Sequence, residues 1–224
     1  MNWRPGVAGL SGGFAGALAG HIAVTLITRL GAQLWLVGPY GPPMQFFAMS
    51  VYLGFLYASI AGALSRQIRP ALVGFGSACL PIALPMTILT HWPGPLRAFL
   101  HLLARSPAIT VRLMRALHVL NPIALIWTIA VLTVYLVATW GTTLALGALL
   151  CPARRWLGAI LAAVGSGAGY LALQLFAHFI PLPSRWDPTS FIPAPLDLLT
   201  GLLIGAGMGA GIGWAQDRQH KEPS

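Results

Sequence analysis

The sequence predicts an all-α polytopic membrane helix bundle of about six transmembrane helices, with one or two in-plane amphipathic helices between the third and fourth. Two observations carry this prediction. Of 224 residues, 57% are hydrophobic and only 8% charged, whereas soluble domains carry about 25% charged residues. The 13 basic and 4 acidic residues cannot cover the surface of a soluble domain of this length, so a soluble enzyme, a nucleic-acid-binding domain and a disordered tail are excluded together. The second observation is that apolar runs of spanning length, about 20 residues each, recur along the chain.

The first run covers residues 7–27 and stops near Arg29. It continues apolar past Ala17-Leu18-Ala19, which favours a span over a cleaved leader. The second covers 44–64 and ends before Ser65, Arg66 and Arg69. The third, 71–90, contains Pro81 and Pro85, which should kink it; a re-entrant segment is the alternative there. The fourth, 123–150, is long enough to tilt. The fifth covers 157–180, after Arg154 and Arg155, and the sixth 196–214. Residues 1–214 therefore read as one transmembrane domain and 215–224 as a polar C-terminal tail. Trp3, Trp92, Trp156 and Trp214 stand at segment ends, the headgroup level that tryptophan prefers.

Between the third and fourth runs, residues 96–120 form a basic connector. Arg97, His101 and Arg105 recur every four residues and share one helical face, with leucines and Phe99 over the rest. Ser106-Pro107 reads as a cap and first-turn proline opening a second helix that bears Arg112 and Arg115. Both pieces are too short and too charged to span, so they should lie in the interface with arginines toward phosphate. The net charge of +9 thus reads as an interfacial arginine pattern that contacts anionic lipid or an acidic partner. Sidedness does not follow from it, because the basic residues divide almost evenly between the two faces. The two cysteines, Cys79 and Cys151, fall in or beside apolar runs and read as buried thiols.

Glycine marks helix packing. Gly201, Gly205, Gly209 and Gly213 form a four-residue ladder in the sixth run, and Gly12, Gly16 and Gly20 form another in the first, beside Gly9 and Gly13. Such ladders let helix backbones approach, and packing of the first span against the last is the expected use; a homo-oligomer seam or a flat ligand is the alternative.

Ionisable groups within spans are the functional candidates, because an idle charge in lipid is costly. They are His21, His91, His178 and Asp197. With six alternating spans, the C-terminal ends of odd-numbered spans and the start of the sixth fall toward one face, which brings these four to the same end. Proton or cation coupling is the chemistry they suggest. A haem between His21 and His178, or a quinone, is the alternative cofactor reading, although no motif supports either. No metal is assigned, since no HxxxH, CxxCH or carboxylate pair occurs.

These features point to a small-solute or ion transporter, or a membrane subunit of a transport complex. The alternatives are a haem- or quinone-holding subunit of an oxidoreductase complex and a non-catalytic assembly or scaffold subunit. The near absence of extramembrane mass points away from an enzyme. Expected partners are the lipid bilayer, anionic lipid included, and other membrane subunits or a second copy of the chain; nucleic acid is not expected. The expected location is a bacterial-type cytoplasmic membrane.

Overall fold

The computed structural model describes residues 3–34, 42–91, 101, 105, 107–116, 122–179 and 191–221. These residues are almost entirely helical, with no strand among them. The helices are α1 (Arg4–Leu34), α2 (Pro42–Ser65), α3 (Ile68–His91), α4 (Pro107–Ala116), α5 (Pro122–Leu150), α6 (Arg155–Phe179) and α7 (Pro195–Lys221). A 3-10 turn, Pro152–Arg154, joins α5 to α6.

Proline sets most of the starts. It opens α2, α4, α5 and α7 and occupies the first turn of α1 and α3. There its missing N–H costs nothing, because the first four amides of a helix have no intrahelical partner. Between α2 and α3 the chain turns in two residues. Arg66 closes α2 with φ 55°, and its amide donates to the Gly62 carbonyl at 2.7 Å, the left-handed cap in which glycine is the usual residue.

Close backbone approaches fix the topology. Gly9 faces Gly205 and Gly13 faces Gly201; Gly12 faces Ser59 and Ile60, and Gly20 faces Tyr52; Gly147 faces Gly158; Gly165 faces Gly207, and Gly169 faces Leu203. In each pairing one number rises as the other falls, so these neighbours are antiparallel. Cys79 beside Gly54 and Gly74 beside Tyr57 show the same for α2 and α3. Helix α3 also packs on α5, which closes a ring in the order α1, α2, α3, α5, α6, α7. Neighbours alternate in direction around it, and α2, α5 and α7 meet across the middle.

Among the described residues, five helices are long and apolar enough to cross a membrane, over Arg4–Leu30, Ala48–Ser65, Thr133–Leu150, Pro152–Phe179 and Pro195–Arg218. The third expected span is α3, whose described side chains form an apolar stretch over Ile68–Ile82. Its helix runs unbroken past Pro81 and Pro85 to His91. Helices also outrun the apolar runs at most ends. In particular, the polar stretch after Trp214 continues α7 to Lys221, with Ala215 buried. Hydropathy sees only the part of a helix that needs lipid, while the hydrogen-bond ladder carries on into water.

The radial distribution of side chains is the reverse of a soluble bundle's. On α6, Gly158, Ala159, Ala162, Ala163, Ser166, Gly169 and Leu173 are buried, while Trp156, Ile160, Val164, Leu171, Leu175 and Phe176 are exposed. On α1, Val7, Leu10, Phe14, Ile22, Leu26 and Leu30 lie outside, and Gly9, Gly12, Gly13, Gly16 and Gly20 lie inside. Large apolar residues outside and small ones between the helices are the arrangement lipid demands. The core is filled by Leu56, Tyr57, Ile60, Leu146, Met208 and Ile212.

The glycine stripes divide their work differently from the expectation. Gly12, Gly16 and Gly20 do not meet the last helix: they face α2, and only Gly9 and Gly13 face α7. Residues three apart on a helix are rotated by about 60°, so the two stripes serve adjacent neighbours. Helix α7 is likewise double-sided. Gly201, Gly205 and Gly209 lie against α1, and Gly207 and Gly211 against α6; Gly213 is buried.

Candidate functional site

Helix α1 turns His21, Thr25 and Thr28 inward, spaced by four and three, and all three are buried. Antiparallel packing puts α2 alongside. Gly20 stands 2.9 Å, measured from a virtual Cβ, from the Tyr52 carbonyl, so His21 is level with the α2 turn that carries buried Ser50. On the other flank a methyl added at Gly201 would lie 2.7 Å from the Ala17 methyl, so Asp197, one turn before Gly201, is level with His21, one turn after Ala17. Asp197 and His21 are within electrostatic reach of each other. The α7 start is tied to α2 by the Tyr52 hydroxyl, which donates to the Asp197 carbonyl at 3.2 Å. Helix α3 joins through the Cys79 thiol, which donates to the Ser50 carbonyl at 3.0 Å.

The carboxylate of Asp197 has two distinct halves. It accepts a hydrogen bond from the Ala194 amide, and the Asp197 amide donates to the Ala194 carbonyl at 3.0 Å. Asp197 therefore sits at the third position of α7 and caps its N-terminus, where the dipole favours an anion. The other oxygen, Oδ2, is buried with no hydrogen-bond partner among the described residues. An unsatisfied buried acceptor costs about 1–3 kcal/mol. Capping accounts for the residue type and for one oxygen, and leaves the second in want of a proton or a cation.

His178 lies elsewhere. It is exposed, edge-on to Phe179 at 5.4 Å between ring centroids, on a helix separated from α1 by α7. It shares an end of the bundle with Asp197, but it does not join the His21 cluster, and the two histidines do not face each other across a common gap. His91 ends α3, and its side chain lies outside the described residues. Arg97 is also outside them. Arg105, Arg112 and Arg115 are exposed at the same end, where α4 packs on α5. Among the described residues no three His, Cys, Asp or Glu side chains are grouped to hold a metal ion.

Sequence reasoning missed the hydroxyls. Tyr52 is within electrostatic reach of Asp197 and Tyr135; Tyr57, almost fully buried, reaches Tyr135 and shares a hydrogen bond with Ser166. A line of polar groups thus leads from His21 and Asp197 into the ring, through α2 and α5 to α6. Its signal was present in the sequence. Tyrosine normally belongs at the membrane interface, and Tyr52, Tyr57 and Tyr135 each fall mid-helix.

The arrangement is a buried imidazole, a half-satisfied carboxylate and a phenol within an apolar bundle. Such a set can take up and release a proton, or bind a small cation with the carboxylate as counter-charge. No protein-family profile matches the chain, and no curated protein and no solved structure is similar to it, so its chemistry rests on the residues themselves.

Proposed function

We propose that the chain is a six-span integral membrane protein that carries a small solute or ion, alone or as the membrane subunit of a transport complex, with proton or cation coupling at Asp197 and His21. The observation that carries this reading is the buried, unpartnered Oδ2 of Asp197 within reach of buried His21. A carboxylate kept for capping alone would be better placed in water. The antiparallel alternation of the ring supports a third span in α3. The glycine stripes are the contact surfaces on which α7 can shift against α1 and α6, since nothing but backbone lies between them. Helix α4 lies in the interface with Arg112 and Arg115 toward anionic headgroups, in a membrane of the bacterial cytoplasmic type.

The test is solute-driven proton movement in proteoliposomes that contain a pH-sensitive dye, screened with pools of small solutes. Solute addition should change internal pH with the wild-type protein. Asp197→Asn and His21→Ala should slow that change by about a hundredfold, the scale on which a positioned proton-transfer group contributes. His178→Ala should leave it intact. Wild-type coupling in Asp197→Asn would remove the site from the mechanism.

A further inference from the structure

Helix α5 carries Thr139, Thr142 and Thr143 close together, and two of them satisfy their hydroxyls within the helix. Thr139 donates to the Tyr135 carbonyl and Thr143 to the Trp140 carbonyl, each at 2.8 Å. Thr142 makes no such return bond. It is fully buried, and its hydroxyl has no hydrogen-bond partner among the described residues. A helix offers every threonine a carbonyl one turn back, so a buried hydroxyl that leaves it unused implies a partner elsewhere.

The packing shows what is near. Thr142 shares the inward stripe of α5 with Ala138 and Leu146, both of which belong to the core that holds Tyr57 and Ala162. A methyl placed on Gly167 would lie 3.2 Å from the Trp140 ring, and one on Gly147 would lie 2.7 Å from the Ala162 methyl. Thr142, between Trp140 and Gly147, is therefore level with the α6 turn that carries buried Ser166. Ser166 shares a hydrogen bond with Tyr57, which reaches across from α2. Ala138, Leu146, Ala162 and Ala163 have no polar side-chain atom, so the Tyr57 and Ser166 hydroxyls are the polar side-chain groups that the packing brings to this level. Neither bonds Thr142 directly. A buried gap between hydroxyls that is too wide for one hydrogen bond is the setting in which water bridges, and a buried water takes about two to four such partners.

We propose that a water molecule is bound between Thr142 and the hydrogen-bonded pair of Tyr57 and Ser166, and that it extends the interior line of hydroxyls past the middle of the bundle. That line starts beside Asp197 with Tyr52 and passes Tyr135 to reach Tyr57. Thr142 stands on the half of α5 that leads away from the Asp197 end. The role of the water rests on the coupling reading of Asp197 and His21: it relays a proton along this line. Its oxygen accepts one proton on a lone pair and releases another to the next hydroxyl, so each O–H bond formed is matched by one broken and no further reactant is needed.

The test is hydroxyl-radical footprinting of the purified full-length protein in lipid nanodiscs, with X-rays generating radicals from water and mass spectrometry reading oxidation at Tyr57. A side chain as buried as Tyr57 is oxidised where water is bound beside it. Tyr57 should be labelled in the wild-type protein and labelled about tenfold less in Thr142→Val, which removes one of the partners the water needs. Thr143→Val, whose hydroxyl is already bonded to the Trp140 carbonyl, should label like the wild type. Both variants lose a hydroxyl and almost no volume, so both should fold. An unlabelled Tyr57 in the wild type, or equal labelling in Thr142→Val, overturns the site. Proton movement in proteoliposomes then tests the relay. Thr142→Val should slow it by about tenfold or more, as loss of a positioned proton-transfer group does, and a wild-type rate in that variant overturns the relay. No proton movement in the wild-type protein would remove the coupling reading and the relay with it, and labelling of Tyr57 would still support the bound water.

Discussion

At the scale of single residues, the sparse polar groups of the interior carry distinct and separable loads. Tyr52 donates one hydrogen bond to the Asp197 carbonyl, so Tyr52→Phe should lower stability by about 1 kcal/mol, read as a drop in unfolding midpoint in detergent. Arg66→Gly should act in the other direction. Relieving a left-handed non-glycine residue is worth roughly 1 kcal/mol, so the midpoint should rise, and a lower midpoint would contradict the cap described for α2. His21 and Asp197 were legible in the sequence because an ionisable group inside an apolar run stands out without any geometry. His178 was grouped with them because counting spans fixes the end of the bundle a residue occupies and says nothing of the direction it faces around the helix axis. The interior tyrosines were hidden by their own chemistry, since an aromatic ring reads as apolar filling until its hydroxyl is seen to have a partner.

At the scale of helices, contact between backbones is the main structural device. An alanine methyl at Gly205 would run into the Gly9 carbonyl, with that group's carbon at 2.9 Å, and backbone cannot move aside as a flexible side chain can. Gly205→Ala should therefore push α1 and α7 apart and cost about 1–3 kcal/mol. Gly76 and Gly141 have nothing within 4 Å of the added methyl, so alanine there should be neutral or stabilising by about 0.5–1 kcal/mol through the lower entropy cost of helix. Comparable losses at all three positions would show that glycine matters for local flexibility rather than for close approach. The four-residue spacing made the stripes visible in the sequence. Their assignment to partners was not visible, because stripes about 60° apart serve different neighbours and only the ring order says which.

At the scale of the whole molecule, six helices alternating around a ring place Arg4 and Arg218 at one end and His101 and Asp197 at the other. In a background of Cys79→Ser and Cys151→Ser, cysteines introduced at Arg69 and Arg218 should react with an impermeant thiol reagent from the same side of the membrane. One at His101 should react from the opposite side. Labelling of position 69 and position 101 from one side would mean that α3 does not cross. The membrane class was legible from the scarcity of charge, and five apolar helices of spanning length among the described residues fit it. Ring order was not legible, because lipid-facing and helix-facing surfaces are both apolar and hydropathy cannot tell them apart. The proposed coupling requires Asp197, half-buried and within electrostatic reach of His21, to exchange a proton. Infrared spectroscopy of the reconstituted protein through a pH titration tests it most directly. The wild-type protein should show a protonated-carboxyl band that vanishes on titration to alkaline pH, is missing in Asp197→Asn, and changes its midpoint in His21→Ala. An unchanged band in Asp197→Asn, or no such band in the wild-type protein, would contradict it.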